Sequence, residues 1–506
     1  MPRGGNGMKT FDIIVIGSGA GLMVIEAALS AGMSCAIIEK SKFGGTCLTK
    51  GCIPSKMLVY PADLVRESEK ADRVGIGFSK PIVDWNKISK RMWDQINHNI
   101  QIENSLKKVE NLQVYKGIAE FTGKKTLRVK YDDNSFSEEI QSDLIIIATG
   151  AESFIPPIKD IEQTGYITSE TFFGDKFPEK PWQSLIIVGG GAIGAEFAHI
   201  FSAFGTKVTI VEMRPRILTT EEEEISNVVT AEFENNGITV LTNSKVVASG
   251  IKGKLKTLTL EDALTGERKI IEADEIFIAS GVRSNTDTLK INNTDVETDE
   301  KGWIKTNEYL ETTQKGICAI GDINGKYQFR HKANYEAEIL IQNLFGYQEK
   351  RKAIYNAVPW AIFTWPQVAH VGMTEEEVRA SGQRYWIGRN YYSQIAGGIA
   401  LGITRDSSDN SFVKIIVGEG DTILGVHIVG PHASILLQPF VYLMNSHHKC
   451  ERKRRSGNDK LVYPPLGSFT PINDSMVIHP SLNELTAWVI DNIDWDDESN
   501  YSISIT

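Results

Sequence analysis

Short apolar runs that end in glycine recur along the chain. The first, FDIIVIG, predicts a strand over Phe11–Ile16, and Gly17, Gly19 and Gly21 follow in a turn. A helical stretch and a second apolar strand come next, and Glu39 ends that strand. Glycines in such a turn let the backbone approach a pyrophosphate, and the acid accepts hydrogen bonds from a ribose. The pattern predicts a dinucleotide-binding βαβ unit.

One position of this first turn departs from the usual motif. Leu22 stands where G-x-G-x-x-G has its third glycine, which normally lets the helix pack closely on the strand. We expect the neighbouring Gly21 to compensate, with a local difference in the packing of helix on strand.

A second block, SLIIVGGGAIGAEFAHIFSAFGTKVTIVEM, satisfies the whole motif. Its three glycines and its strand-ending acid are Gly189, Gly191, Gly194 and Glu212. An acid at that place favours the free 2′-hydroxyl of NAD and repels the 2′-phosphate of NADP. Arg214 and Arg216 follow closely and soften this preference, so we expect NAD, with NADP as the alternative.

Two such units in one chain indicate two bound dinucleotides. A flavin that exchanges electrons with a nicotinamide is the economical combination, so FAD and NAD are the expected cofactors. SDLIIIATGAESFIPP and ADEIFIASGVRSNT are apolar strands that run into Gly150 and Gly281, and GICAIGDING places Asp322 where a carboxylate can bind sugar or ribityl hydroxyls. The expected fold class is α/β with two Rossmann-like domains.

Composition narrows the range of functions. A chain of 506 residues exceeds one compact domain. The net charge of -10 is a poor match to nucleic acid, and no apolar run reaches the ~18 residues of a membrane span, so neither is an expected partner. One basic run, residues 447–455, is either a solvated insertion or a surface for an acidic partner. The 5 scattered cysteines indicate a reducing compartment, and we expect the cytoplasm.

Two of those cysteines lie close together in FGGTCLTKGCIPSK. Cys47 and Cys52 could form a redox pair, bind a metal or be two buried thiols. A structural zinc site needs two further ligands, and neither a Cys-x-x-Cys motif nor a Cys/His cluster stands nearby in the sequence. We therefore expect no metal at this pair.

The motifs together resemble a known family. GGTCLTKGCIPSK, both glycine turns, ATG, GVRSNT, AIGD, WAIFTWPQVAHVGMTEEE and IHPSLNE all occur between Phe11 and about Ile493. This combination is similar to the class I pyridine nucleotide-disulfide oxidoreductases, which include dihydrolipoamide dehydrogenase, glutathione reductase, mycothione reductase and mercuric reductase. The resemblance implies a glutathione reductase-like fold with an FAD domain over 1–155 and 287–355, an NAD(P) domain over 156–286 and an α+β dimerisation domain over 356–506.

The resemblance also implies roles around the cysteine pair. Cys47 would be the interchange thiol that reacts with substrate, and Cys52 the charge-transfer thiol against the flavin. Thr46 would contact FAD. Lys56 would lie near the flavin and pair with Glu196. A helix start at the pair would lower the thiolate pKa.

A base is needed as well, because thiol–disulfide exchange moves protons. In the family a His-Pro near the carboxyl end supplies it, and here the matching residues are His479 and an orienting acid, Glu484. In the family this histidine reaches the disulfide of the other subunit. The resemblance therefore implies a homodimer with the catalytic histidine supplied across the interface.

The choice of family member stays open. Glu212 is similar to the lipoamide enzymes, whereas HKANYEA and HASILLQPFVYLM look more like mycothione reductase. We expect a dihydrolipoamide dehydrogenase acting on a small dithiol or lipoyl domain. The alternatives are a reductase of mycothione-, glutathione- or coenzyme A-type disulfides, a mercuric reductase-like enzyme, or, in a different class, a docking subunit of a multienzyme complex. An insertion over about 445–475, which contains Cys450, precedes His479 and is expected to border the substrate entrance or the subunit interface.

Overall fold

The protein is described from a computed structural model that covers residues 8–346, 349–446, 470–481, 483 and 487. Its strands and helices are numbered from the amino end. Two parallel sheets follow the two glycine motifs, and an antiparallel sheet forms the carboxyl-terminal part.

The first unit is built on a five-stranded parallel sheet. Up to residue 155 the strands are β1 (Lys9–Thr10), β2 (Ile13–Ile16), β3 (Cys35–Glu39), β4 (Leu112–Lys116), β5 (Ile118–Phe121), β6 (Thr126–Lys130), β7 (Ile140–Gln141), β8 (Ile145–Ile147) and β9 (Ala151–Ser153), and the helices are α1 (Gly21–Ser30), α2 (Gly45–Thr49), α3 (Cys52–Lys70), α4 (Trp85–Ile96) and α5 (His98–Leu106). All four side chains of β2 are buried, as is usual where both faces of a parallel sheet are covered.

This first sheet is completed from far along the chain. Strand β18 (Ile317–Ala319) pairs in parallel with β8, which gives the order β18-β8-β2-β3-β4. Helix α10 (Arg330–Phe345) then packs against α1. The polypeptide thus leaves the first unit after β9 and returns to it with β18. A smaller sheet, β1-β7-β6-β5, extends the same unit.

The second unit repeats the design of the first. It contains helices α6 (Ile161–Thr164), α7 (Ser169–Phe172), α8 (Ala192–Ala203) and α9 (Glu223–Asn235), and strands β10 (Ser184–Val188), β11 (Lys207–Val211), β12 (Thr239–Leu241), β13 (Ser244–Lys252), β14 (Leu255–Asp262), β15 (Arg268–Ala273), β16 (Glu275–Ile278) and β17 (Val282–Ser284). Strands β12-β11-β10-β16 form its parallel sheet, and β13-β14-β15 a separate antiparallel one. Strand β17 pairs with β9 and links the two units.

The third unit is an antiparallel sheet in the order β19-β20-β23-β22-β21. Its elements are β19 (Pro359–Ile362), β20 (Val368–Gly372), α11 (Glu375–Ser381), β21 (Tyr385–Tyr391), α12 (Ala396–Ala400), β22 (Phe412–Gly418), β23 (Ile423–Val429), α13 (Ala433–Leu436), α14 (Gln438–Met444) and α15 (Thr470–Asn473). Burial alternates along β22, the period expected of a sheet with one covered face.

The predicted fold class is confirmed: two Rossmann-like units and an α+β third unit are present. The domain boundaries at 155, 286 and 355 stay a prediction. Within the part of the chain that is described, no helix combines the length and the apolar character needed to cross a membrane.

Candidate active site

The same tight turn is built once in each Rossmann-like unit. Gly17 has φ +102° and Gly189 has φ +110°, conformations that side-chain-bearing residues rarely adopt. A Cβ on Gly17 would overlap the Ala148 carbonyl oxygen, and one on Gly189 would overlap that of Ala279. Each turn therefore packs directly on the loop that leaves a neighbouring strand. Those loops are the ATG and ASG segments, whose glycines, Gly150 and Gly281, also have positive φ.

The two turns differ where the motif differs. Helix α8 packs through Gly194, whose Cβ would overlap the carbonyl oxygen of Gly189. In the first turn α1 begins at Gly21, and a Cβ there would lie 2.7 Å from Cγ1 of Val15. Gly21 thus provides the close contact of helix on strand that Leu22 does not.

In each turn, backbone amides donate hydrogen bonds to the glutamate that ends the following strand. Glu39 is 7% exposed, and its Oε2 accepts hydrogen bonds from the Ser18 amide at 2.9 Å and the Ser18 hydroxyl at 2.6 Å. Its other oxygen accepts from the Ser41 amide at 2.8 Å. Glu212 is less buried and accepts from the amides of Gly190 at 2.8 Å and Arg214 at 2.9 Å.

A cleft runs along the carboxyl edge of the first sheet. The predicted residues that line it are Gly17, Gly19, Glu39, Thr46, Cys47, Cys52, Gly150 and Asp322. Gly21 is not among the lining residues, because it packs α1 on β2. The residues of the second motif lie apart from this cleft, at the end of β10.

The floor of the cleft holds a buried ionic network. Burial raises the pKa of Asp322 to about 6. Beneath it Lys332 and Glu336, both fully buried, form an ion pair of 3.1 Å. Glu336 accepts from the Gly321 amide at 2.7 Å, and the Lys332 ammonium donates to the Gly321 carbonyl at 3.0 Å. The pair thus fixes the turn that presents Asp322 to the cleft.

Sequence reasoning missed several polar residues of this cleft, and two of them contact or approach its glycine turn. Ser18, between the predicted glycines, binds Glu39 through its hydroxyl. Arg330, the first residue of α10, lines the cleft, and its Nη1 lies 4.0 Å from the Cβ position of Gly19. In the sequence QFRHKANYEA, Arg330 could be seen as a basic residue at the start of a helix. Its position beside the glycine turn, however, follows only from the tertiary fold.

The cleft fits an FAD. Its glycine turn leaves room for a pyrophosphate, and the Arg330 guanidinium supplies a cation beside it. Glu39 at the end of β3 stands where a ribose is bound, and Asp322 where a ribityl chain is bound.

The cysteine pair is fastened to the first glycine turn. Gly45 has φ +68°, and a Cβ there would lie 2.6 Å from Cα of Gly19. The Gly44 amide also donates to the Ser18 hydroxyl at 3.1 Å. The glycines before Cys47 therefore let α2 lie against the nucleotide-binding turn.

No disulfide joins Cys47 and Cys52 in the structure. Cys47 lies in α2 and Cys52 is the first residue of the 19-residue helix α3. A hydrogen bond with Cys47 is the main cause that lowers the pKa of the Cys52 thiol to about 7. Burial opposes this, and the charges of His479 and Lys56 add to it. Cys52 is thus poised to ionise near neutral pH.

His479 contacts the pair from the far end of the chain. Its Nε2 lies 3.0 Å from Sγ of Cys47. In this structure the contact is made within one chain, and the expectation that a second subunit supplies this histidine stays a prediction. Gln438 of α14 holds the segment in place: it donates to the Met476 carbonyl at 3.1 Å and accepts from the Ile478 amide at 3.2 Å. The predicted orienting acid, Glu484, lies outside the described residues, as does Cys450.

The contact also corrects the reasoning about metals. The sequence offered no third ligand near the cysteines, yet ligand atoms of Cys47, Cys52 and His479 lie within 4.8 Å of one another. His479 was overlooked as a ligand because 432 positions separate it from Cys47.

Lys56 and Glu196 meet as predicted from the resemblance. The Lys56 Nζ lies 2.8 Å from Oε2 of Glu196, and it stands 4.3 Å from the ring centroid of Phe363. The Phe363 amide donates to Oε1 of Glu196 at 3.0 Å. This small network joins α3, α8 and the third unit.

Comparison with known proteins decides the family. Residues 11–337 match the profile described as pyridine nucleotide-disulphide oxidoreductase, and residues 358–470 match the dimerisation domain of the same family. The chain belongs to the pyridine nucleotide-disulphide oxidoreductase family. It is accordingly an FAD-dependent disulfide oxidoreductase that uses a pyridine nucleotide. The dimerisation domain supports a homodimer.

Named relatives fall in both predicted groups. The chain is 32% identical over 437 residues to the dihydrolipoyl dehydrogenase of Bacillus subtilis, covering 84% of this chain and 90% of that protein. It is 33% identical over 453 residues to the mycothione reductase of Mycobacterium tuberculosis, covering 87% and 93%. Among solved structures, the Cu(II) complex of the HOCl-induced flavoprotein disulfide reductase RclA from Escherichia coli matches with a TM-score of 0.75 at 26% identity, covering 96% of this chain and 100% of that one.

Proposed function

We propose that this family member oxidises a small dithiol, of which dihydrolipoamide is the type, with NAD⁺ as the final acceptor. The observation that carries the proposal is the contact of His479 with Cys47, 3.0 Å long, beside a Cys52 whose thiol has a lowered pKa. A base within hydrogen-bond reach of one thiol and an ionisable second thiol are what dithiol–disulfide exchange requires. The dihydrolipoyl dehydrogenase relatives support this substrate class.

The exchange proceeds through the oxidised Cys47–Cys52 pair. One substrate thiolate attacks Cys47, forms a mixed disulfide and releases Cys52 as a thiolate. His479 accepts the proton of the second substrate thiol, which attacks the mixed disulfide. The substrate leaves as a disulfide, Cys47 takes the proton held by His479, and two electrons have passed to the cysteine pair. When bound, FAD supplies two-electron transfer between that dithiol and a nicotinamide.

The chain's own residues position that chemistry. Gly17, Gly19, Glu39 and Asp322 would hold FAD along the cleft, with Arg330 beside the pyrophosphate. Cys52, at the start of α3, would face the flavin, and Lys56 would be steadied next to it by Glu196. Thr46 and Gly150 would contact the cofactor from α2 and from the loop after β8, since both line the cleft.

NAD is the preferred nicotinamide in this proposal. Glu212 ends β11 beside the second glycine turn, where it would bind the ribose hydroxyls. The nearby guanidinium groups have other partners: Arg216 donates to the Glu221 carbonyl at 2.8 Å and Arg214 to the Thr219 hydroxyl at 3.1 Å. These bonds each use one guanidinium nitrogen, so the preference for NAD rests on Glu212.

A second candidate is reduction of a low-molecular-weight disulfide of the mycothione type. The mycothione reductase relative, which matches over 93% of its length, supports it. The same residues would serve, with electrons passing from NADH to the substrate. The sparse cysteines support a cytoplasmic location for either activity.

A substrate panel tests both candidates. The assay measures kcat/KM for oxidation of dihydrolipoamide with NAD⁺ and with NADP⁺. It also measures kcat/KM with NADH and with NADPH for reduction of Hg(II) and of the disulfides of glutathione, coenzyme A and mycothiol. The proposal expects the highest value for dihydrolipoamide with NAD⁺ and loss of turnover in Cys47→Ser and Cys52→Ser. A tenfold preference for mycothiol disulfide would replace it by the second candidate. Undiminished dithiol turnover in Cys52→Ser would refute both. Co-purification with an acyltransferase core, without turnover on free substrates, would favour the docking-subunit alternative.

A further inference from the structure

A second cluster of metal-ligating side chains lies away from the cysteine pair, between the second unit and the antiparallel sheet. His370 on β20 and His427 on β23 are register partners on adjacent antiparallel strands. Side chains that oppose each other in this way lie on the same face of a sheet. Glu221, in the loop before α9, reaches them from the second unit. All three are buried, with exposures of 1%, 0% and 1% for His370, His427 and Glu221.

Each imidazole is oriented by a hydrogen bond at one of its two nitrogens. His370 Nδ1 lies 2.7 Å from Oε2 of Glu221, and His427 Nε2 lies 2.9 Å from the carbonyl oxygen of Met373. Both partners are acceptors, so these two nitrogens carry the protons. The other nitrogens, Nε2 of His370 and Nδ1 of His427, are buried and without a hydrogen-bond partner among the described residues. Buried polar atoms without a partner are rare and call for an explanation.

This arrangement is the usual setting of a metal-binding histidine. A ligating imidazole donates its other N–H to a carboxylate or a backbone carbonyl, which fixes the ring and raises its basicity. Here one ring has a carboxylate in that role and the other a carbonyl.

The charge around the cluster favours a cation as well. Four carboxylates meet at this junction, those of Glu221, Glu222, Glu224 and Glu375. The cations described among them are Lys414 and Arg389. Lys414 contacts three of the glutamates at 2.8 to 2.9 Å, and Glu221 is not one of them. A divalent ion beside Glu221 would balance the two remaining negative charges.

We propose that His370 and His427 bind a divalent first-row transition cation, of which Zn²⁺ is the type, through Nε2 and Nδ1. Glu221 would orient the His370 ring through its bond to Nδ1. Nitrogens of the two rings and a carboxylate oxygen of Glu221 lie within 4.8 Å of one another. Imidazole nitrogens suit zinc and not Ca²⁺ or Mg²⁺, and water would complete the ligand shell. The ion would join β20 to β23 beside the second unit.

The test measures zinc binding by the FAD-loaded enzyme in a parent that lacks competing thiols, Cys47→Ser/Cys52→Ser/Cys450→Ser. Equilibrium dialysis against Zn²⁺, with metal content determined by mass spectrometry, should give one high-affinity ion per chain. His370→Gln and His427→Gln should each weaken binding at least tenfold. His199→Gln is the matched control, because His199 is equally buried but bound to Asp63 at 2.8 Å, and it should bind zinc like the parent.

Two readouts keep the test decisive if a histidine variant loses its flavin. Glu221→Gln keeps the side-chain shape and should weaken zinc binding while retaining FAD. X-ray absorption at the zinc edge of the parent should detect two imidazole neighbours. Absence of a high-affinity ion in the parent, equal binding in the parent and His370→Gln or His427→Gln, or a zinc shell without imidazole would each overturn the proposal.

Discussion

The ionisation of Cys52 offers the sharpest test of the redox site. The structure holds the pKa of its thiol at about 7, below the ordinary value of 9.0, and a hydrogen bond with Cys47 is the first cause. At pH 7 about half of Cys52 is then thiolate, against about one part in a hundred for an ordinary thiol. The perturbation is Cys47→Ala, which removes that hydrogen bond. Cys47→Ser keeps a donor and is the matched control.

The assay follows the thiolate directly. A Cys52 thiolate against oxidised flavin gives a long-wavelength absorption band, which should grow as pH rises through the pKa, because the anion is the absorbing form. In Cys47→Ser the midpoint should stay near 7. In Cys47→Ala it should move toward 9, with a several-fold loss of the band at pH 7. A midpoint near 9 in the serine variant, or equal midpoints in both variants, would refute the assignment of the hydrogen bond as the main cause.

Three further predictions concern other parts of the molecule. Gly189→Ala should lower the free energy of unfolding by about 2 kcal/mol through backbone strain, which chemical denaturation measures. Gly191 has φ -76° and open space at its Cβ, so Gly191→Ala should leave stability unchanged and raise the KM for NAD⁺, which steady-state kinetics measure. Arg330→Met should weaken FAD binding about tenfold, measured by flavin release, since a charge-assisted contact is lost. Mixed dimers of Cys47→Ser and His479→Ala subunits test which subunit supplies the histidine. The contact within one chain predicts that they stay inactive, and recovery to about a quarter of full activity would show that the partner supplies it.

Local sequence pattern predicted much of the fold. The apolar runs and glycine turns placed β2, α1 and β3, and again β10, α8 and β11, because backbone geometry there depends on neighbouring residues. The segments AVPWAIFTW, SFVKIIVGE and TILGVHIVG contain β19, β22 and β23. The assignment of the family, and with it the activity, followed from motifs that each combine a turn with its chemistry.

What could not be predicted depends on packing between distant segments. Arg330 reaches the first glycine turn only because α10 packs on α1. The proximity of His479 to Cys47 within one chain depends on how Gln438 holds the carboxyl-terminal segment. The pairing of His370 with His427 needs the register of β20 on β23, and its partner Glu221 lies in another unit. No spacing rule connects such residues.

The two glycine turns also differ in what covers them, and this difference suits one cofactor that stays bound and one that dissociates in each cycle. Helix α2 lies on the first turn, so that a Cβ on Gly45 would stand 2.6 Å from Cα of Gly19. On the second turn no atom of the described residues lies within 4 Å of a Cβ on Gly191. A flavin under the cysteine-bearing helix would be enclosed, whereas a nicotinamide at the open turn could enter and leave in each cycle. The glycine pair ahead of Cys47 therefore does two things: it brings the thiols to the first cofactor, and it makes that site the closed one of the two.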